Sequence, residues 1–183
     1  MTIIDDYIEQ SIPHESGHIL AGRFVGIPVF RLDHEIILTG TNEISTGNFI
    51  TVGMSPPPVE PLIVRAMTPP DVLKAYTLFI AGGLAGNKVT GTAATEHGLA
   101  KDRVDLSRVS DRTLEEVAES STLIIQKNMG AFEKLQAAFR KSYQDLTNNG
   151  QPTVGRHTLL TPDQLEAICP QSKRLQWFFS NQP

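Results

Sequence analysis

Residues 11–26 of the chain read SIPHESGHILAGRFVG, and this stretch decides the class of fold that we predict. Ser11 is a candidate helix cap and Pro13 suits a first helical turn, while Ile19 and Leu20 provide an apolar face. We therefore predict a helix over about 11–26 that carries the HESGH motif in its first turns.

The HESGH motif has the H-E-x-x-H spacing of a helical zinc site. His14 and His18 are four residues apart on one helix face, so two imidazoles can bind one zinc ion. Glu15 lies about 100° round the helix, close enough to reach a water on the metal. We expect zinc to lower the pKa of that water and Glu15 to act as general base, returning the proton to the leaving amine.

A catalytic zinc site needs a third protein ligand, and spacing alone does not identify it. No further histidine follows the motif closely, which excludes the metzincin class. His34 lies in a strand pattern between two acidic residues and is expected to be solvated, while His97 and His157 are expected in loops. The candidates are His34, His97, His157, Asp102 and Asp105.

The segments that follow the motif helix predict a mainly α (α+β) fold in one domain over 1–183. Residues 29–53 are rich in β-branched and turn residues and predict a small antiparallel sheet, the only clear sheet signal. The helical remainder covers about 68–183. Within it, Thr68 is a candidate cap for the next helix, and Gly130 can bend or divide a long helical pattern.

Two further segments carry local signals. Residues 54–61 read MSPPPVEP, and their prolines exclude a helix interior or a central strand. A last short helix is predicted after the cap residue Thr161, with Pro162 at its first position and Gln164 in capping-box register.

Composition limits the classes of function. The net charge is -4, and no stripe of Lys and Arg offers a surface for nucleic acid or an anionic membrane. The acidic start lacks the features of a secretory signal, and residues 78–85 are too short an apolar stretch to cross a bilayer. Cys169 is the single cysteine and is expected to fill the core. We expect a cytoplasmic protein with no membrane anchor.

Four segments resemble, in chain order, parts of the FtsH-type zinc metallopeptidase domain. HESGHILAG resembles the HEAGHA segment, and AKDRVDLSRVS resembles the Asn-Asp-Leu segment that opens a later helix. FIAGGLAGNKVTG resembles a helix with a Gly-Gly pair, and LLTPDQLEAI resembles the final short helix. The resemblance implies that the third ligand to one zinc ion is Asp105, followed by Leu106 with Arg108 in register. Asp102 remains the alternative.

The resemblance also implies an activity, which is zinc-dependent endopeptidase cleavage of unfolded or extended polypeptide. No ATPase module precedes the motif, so we expect no unfolding of folded substrates by this chain. A substrate would add as a strand along Asn48, Phe49, Ile50 and Thr51. The segment GGLAGNKV is only a near miss to a phosphate loop, so we expect no nucleotide.

An alternative function is favoured by the missing ATPase module and by the residues at positions 87 and 88. Asn87 and Lys88 stand where family members tend to have acidic residues, and Pro13 predicts a later start for the motif helix. The alternative is a catalytically inactive or regulatory FtsH-like domain that binds a protein partner. A closed structural zinc site is disfavoured, because such sites usually have four ligands, often thiolates.

Overall fold

The computed structural model describes residues 3–38, 44–52, 65–66, 68–148 and 154–180. It is mainly helical with a small antiparallel sheet, which confirms the predicted α+β class. The proline-rich residues 54–61 lie outside the described part of the chain. The elements in chain order are α1 (Ile3–Val25), β1 (Val29–Leu38), β2 (Ile44–Val52), α2 (Pro70–Thr90), α3 (Glu96–Val109), α4 (Leu114–Lys127), α5 (Met129–Asn148), β3 (Gly155–Leu160), α6 (Pro162–Ile168) and α7 (Gln176–Phe179).

Helix α1 begins at Ile3, so the predicted start near residue 11 is wrong. Pro13 lies inside the helix, where its ring removes one backbone hydrogen bond but its fixed φ still fits the helical geometry. Ile8 and Ile12 are buried in the core, and this packing holds the turns before the proline. Ser11 is no cap, since its Oγ donates to the carbonyl of Ile8. The HESGH motif therefore lies in the middle of a helix.

Glycines bring α2 directly onto the motif helix. A Cβ at Gly17 of α1 would lie 2.0 Å from the carbonyl oxygen of Gly82 in α2. A Cβ at Gly86 would likewise lie 2.1 Å from the carbonyl oxygen of Pro13. Only a residue without a side chain allows two helix backbones to approach this closely. The segment GGLAGNKV is entirely helical and forms this interface.

The sheet has the strand order β2-β1-β3, with both pairs antiparallel. β1 is central, and its His34 is opposite Asn48 of β2 and His157 of β3. Strand β3 contradicts the prediction of an entirely helical remainder. It is only six residues long and ends in the buried Leu159 and Leu160, so its alternating pattern is too short to stand out in the sequence.

The other helix boundaries depend on local caps. Pro69, not Thr68, occupies the cap position of α2 and makes no side-chain cap. Thr95 caps α3 by accepting a hydrogen bond from the Gly98 amide. The helix therefore begins at Glu96 and includes His97, which was expected in a loop. The long helical pattern is divided at Asn128, two residues before Gly130. The predicted cap of α6 is confirmed, because Thr161 and Gln164 form a capping box with Pro162 in the first turn.

One cluster of buried apolar side chains joins the helices to the inner face of the sheet. Fully burying one large apolar side chain, such as leucine or phenylalanine, contributes about 1.5–3 kcal/mol to the stability of the fold. Cys169 is buried in this cluster, as expected. Within the described ranges, no helix combines the length and the apolar composition needed to cross a bilayer. The largest fully buried side chains are Phe132, Phe139, Ile12, Ile19, Ile27, Leu32, Leu106, Leu114, Ile125, Leu135, Leu160 and Leu165.

Candidate metal centre

Two imidazoles and one carboxylate converge between α1, α2 and α3. Nε2 of His14 lies 3.1 Å from Nε2 of His18, as their positions one turn apart predicted. One Asp102 oxygen lies 3.5 Å from Nε2 of His14 and the other lies 3.4 Å from Nε2 of His18. All three residues are buried. Among the described residues, they are the only group of three His, Cys, Asp or Glu close enough to hold one metal ion.

The two ring nitrogens have the spacing of neighbouring ligands in a tetrahedral metal site. Zinc binds nitrogen and carboxylate oxygen at about 2.0–2.1 Å, which places tetrahedral ligand atoms about 3.3–3.4 Å apart. The two ring nitrogens, 3.1 Å apart, lie close to that value, and one carboxylate oxygen of Asp102 lies within 4.8 Å of both of them. Oδ2 of Asp102 is buried without a hydrogen-bond partner among the described residues, which is costly unless a cation is bound. The residues therefore fit zinc.

The other nitrogen of each ring is held by an acceptor. Nδ1 of His14 donates to Oδ1 of Asn87 at 3.0 Å, and Nδ1 of His18 donates to the Phe79 carbonyl at 2.8 Å. Asn87 is fixed in turn, because its Nδ2 donates to the Gln10 carbonyl at 3.2 Å. Such contacts set the tautomer of a ligating histidine, leaving the Nε2 lone pair free for metal.

Burial and neighbouring charge shift the pKa values at the centre. Burial, reinforced by His18, lowers the pKa of His14 to about 4. Burial also opposes charge on His18, but the Asp102 carboxylate outweighs it and raises the pKa of His18 to about 9. Burial raises the pKa of Glu15 to about 7.

Glu15 lies on the wall of a pocket of about 390 Å³ that contains the three converging residues. It is half-buried, and its carboxylate makes no hydrogen bond or ion pair to a described residue. It is therefore free to accept a proton from a group bound in the pocket. The walls come from α1, β2, α2 and α3, and they include Ser11, Thr46, Gly47, Asn48, Phe49, Ile50, Val52, Tyr76, Phe79, Ile80, Thr95, His97, Gly98, Lys101, Asp105, Arg108 and Val109.

Gly83 makes room for the two imidazoles. A Cβ at this position would lie 2.5 Å from Cε1 of His14 and 2.5 Å from Nε2 of His18. Gly98 of α3 approaches the other side of the centre, where a Cβ would lie 3.3 Å from Nε2 of His14. The space around the ring nitrogens thus depends on two residues that have no side chain.

The carboxylate at the centre is Asp102, the alternative, and not the favoured Asp105. Asp105 lies one turn further along α3, where its Oδ2 accepts from Nζ of Lys101 at 2.5 Å. It lines the pocket but does not join the converging group. The physical reason is the position along α3, because Asp102 lies beside the two rings whereas Asp105, one turn further on, is paired with Lys101.

None of the remaining histidines joins the converging group. His34 is 1% exposed, so its predicted solvation is wrong: β1 is a central strand with a neighbour on each side. His97 is exposed and lines the pocket, but it lies in α3 and not in a loop. His157 is half-buried on β3, also not in a loop.

The predicted substrate strand forms one wall of the pocket. Asn48, Phe49 and Ile50 line it, whereas Thr51 does not. Among the described residues, β2 pairs on one side only, which leaves an open edge. Oδ1 of Asn48 accepts from Nδ1 of His34 at 2.9 Å, and its Nδ2 donates to Oγ of Ser11 at 3.0 Å. This network ties β2 to α1 one turn before the first imidazole.

Sequence reasoning missed the roles of Asn87 and Gly83. In the sequence Asn87 stands out only as a difference from the FtsH-type segment, yet its side chain holds His14 in orientation. Its position one turn after the Gly-Gly pair was a usable signal, because residues four apart on α2 lie on one face. The Phe79 acceptor had no signal, since any residue supplies a backbone carbonyl.

No protein-family model, curated protein or solved structure matches this chain. The resemblance to FtsH-type peptidases therefore depends on the short segments quoted above. What the centre can do chemically depends on the geometry of His14, Glu15, His18 and Asp102.

Proposed function

We propose that the chain is a zinc-dependent metalloendopeptidase that hydrolyses peptide bonds in unfolded or extended polypeptides. The observation that carries the proposal is the convergence of His14, His18 and Asp102 beside Glu15 in one open pocket. Two histidines and a carboxylate with a free fourth position are typical of catalytic, not structural, zinc sites. A cytoplasmic location remains a prediction.

His14, His18 and Asp102 would hold the ion, and Asn87 and the Phe79 carbonyl would keep both rings oriented. Zinc bound there supplies Lewis-acid polarisation of the substrate carbonyl and makes a water more acidic. The Asp102 carboxylate offsets part of the positive charge that neutral imidazoles leave uncompensated.

Glu15 would act first as the general base and then as the general acid. Its carboxylate has no competing hydrogen bond to a described residue, so it can accept a proton from the attacking water. The attack forms the bond from water oxygen to carbonyl carbon, and the bond from that carbon to the peptide nitrogen then breaks. Glu15 returns the proton to the leaving nitrogen, which departs as an amine.

The open edge of β2 would position the substrate. An extended polypeptide could pair with this edge as an added strand. The pairing would hold its backbone at a fixed distance from the candidate metal centre. A folded protein cannot offer such a strand without local unfolding, so flexible substrates are favoured. Asn48, held between His34 and Ser11, keeps the wall at a fixed distance from the motif helix.

The alternative, a non-catalytic FtsH-like domain that binds a protein partner, drew its support from Asn87 and Lys88. Asn87 accepts from His14 as a carboxylate would, so this difference from the family does not argue against catalysis. A domain that only binds a partner also has no chemical need for Glu15.

The test compares casein hydrolysis by the wild type and by Glu15→Gln at equal, measured zinc content. We expect hydrolysis by the wild type and a loss of at least about 100-fold in Glu15→Gln, since general base catalysis contributes about 10²–10⁴-fold. A stable folded protein serves as the control substrate and should resist cleavage. Full zinc content without hydrolysis in the wild type would reject the enzyme and favour the binding domain.

A further inference from the structure

Arg108 of α3 lines the pocket of the candidate metal centre and has no partner among the residues that the structure describes. It is half-buried, yet its guanidinium makes no hydrogen bond or ion pair to a described residue. The other described arginines that are at least partly buried each contact a carboxylate; they are Arg23, Arg31, Arg65 and Arg140. Leaving a partly buried cation unpaired is unfavourable, so its position indicates a role that is completed by a ligand.

The neighbouring charges in the pocket do not compensate Arg108. Lys101 and Asp105 form an ion pair with each other, and Asp102 faces the two imidazoles. Of the two Lys and Arg side chains in the described pocket wall, Arg108 is thus the one that is available to bind a ligand. Its planar guanidinium presents donors that match both oxygens of a carboxylate.

Helix geometry gives the separation along α3 between Arg108 and the candidate metal ligand Asp102. Asp102 and Arg108 are six residues apart on α3, which corresponds to about 9 Å along the helix axis. An extended polypeptide advances about 3.3 Å per residue, so this distance spans two or three substrate residues. Phe49 and Ile50 of β2 line the same pocket, so a strand added to β2 would pass close to α3.

We propose that Arg108 selects substrates with an aspartate or glutamate two or three residues from the bond that is cleaved. The inference rests on the proposed function, because that function defines the bond and the direction of the substrate. The carboxylate at the end of a chain has the same chemistry, and the experiment separates the two sources.

The test measures binding, not turnover, on zinc-loaded Glu15→Gln. Ten-residue fluorescent peptides with acetylated and amidated ends carry one glutamate moved stepwise along a neutral sequence, each with its glutamine counterpart. Anisotropy titrations should show about tenfold tighter binding for glutamate than for glutamine at one position, the scale of a charge-assisted hydrogen bond. A peptide with glutamine throughout and a free carboxyl end measures the contribution of a chain terminus.

Two variants and one matched control locate the effect. Arg108→Gln should remove the preference for glutamate, and Arg108→Glu should reverse it, so that the glutamine peptide binds more tightly than the glutamate peptide. Arg103→Gln loses the same charge from the same helix, but Arg103 faces away from the pocket and pairs with Glu96 and Glu115. It should keep the full preference.

Several results would overturn the inference. They are equal binding of glutamate and glutamine peptides, equal loss in Arg103→Gln, a preference confined to the free carboxyl end, and no peptide binding at all. Failure of casein hydrolysis in the wild type would instead reject the endopeptidase and leave the measured Arg108 preference in place. The two failures are therefore distinguishable.

Discussion

Gly83→Ala changes the space at the candidate metal centre without altering a candidate ligand. The new Cβ would lie 2.5 Å from Cε1 of His14, 2.5 Å from Nε2 of His18 and 2.7 Å from Nε2 of His14. An ordinary contact between such atoms is about 3.5 Å, so the rings or the helices must separate by about 1 Å. Metal ligands tolerate only about 0.2 Å of displacement.

Loss of the orienting contact to one ligating histidine typically weakens metal binding about 10–100-fold. Gly83→Ala displaces both rings, so we expect zinc affinity to fall by at least about 100-fold. The effect on the free energy of unfolding is smaller. Overpacking lowers this free energy by about 1–3 kcal/mol. The better helix propensity of alanine restores about 0.5–1 kcal/mol of it.

Zinc affinity would be measured by competition with a chromophoric chelator, and stability by urea unfolding of the metal-free protein. Gly130→Ala is the control, because Gly130 is also helical and its Cβ would meet nothing within 4 Å. It should bind zinc like the wild type and be at least as stable. Wild-type zinc affinity in Gly83→Ala would refute the close approach of α2 to the two rings.

Three other changes test separate parts of the structure. Asn87→Leu removes the acceptor for Nδ1 of His14 and should weaken zinc binding about 10–100-fold in the same titration, whereas Asn87→Asp should retain it. Glu9 pairs with Arg140, whose hydrogen bond lowers the pKa of Glu9. The pair therefore stabilises the folded state at pH values above the ordinary pKa of a glutamate. This stabilisation is lost as the pH falls through the lowered pKa that Glu9 has in the folded state. Because the pair is largely exposed, Glu9→Gln should cost only about 0.2–1 kcal/mol at pH 7 and nothing in strong acid, and an equal cost at both pH values would contradict the ion pair. Phe132→Ala leaves a cavity in the core and should cost about 3–5 kcal/mol in urea unfolding, so a cost below about 1 kcal/mol would show that this ring is not buried.

The sequence predicted the motif helix and the sheet that follows it, because both depend on local periodicity. It placed the start of α1 too late, since proline is common in the first helical turn and less common inside a helix. Whether α1 extends before Pro13 depends on the burial of Ile8 and Ile12, which is a tertiary property.

The missed strand β3 and the wrong prediction that His34 is solvated have one origin. Strand β3 follows the long helices and is too short for a clear pattern, so β1 was not recognised as a central strand. A histidine between acidic residues is expected to be solvated on an edge strand. Once β3 covers the second side of β1, His34 becomes buried and contacts Asn48.

At the centre, the spacing within one helix identified His14, Glu15 and His18. The choice between Asp102 and Asp105 involves a second helix, and their separation of three residues puts both on one side of α3. Only the packing of α3 against α1 decides which of the two carboxylates contacts the rings. The resemblance implied Asp105, the aspartate before a leucine, because the sequence carries no direct signal for how the two helices pack.

The most direct test of the central claim is elemental analysis of zinc in the purified wild type, Asp102→Asn and Asp105→Asn. The two variants make the same chemical change one helical turn apart in the same pocket. We predict one zinc per chain in the wild type and in Asp105→Asn, and a loss of zinc in Asp102→Asn. Full zinc content in Asp102→Asn, or no zinc in the wild type, would contradict a metal centre built from His14, His18 and Asp102.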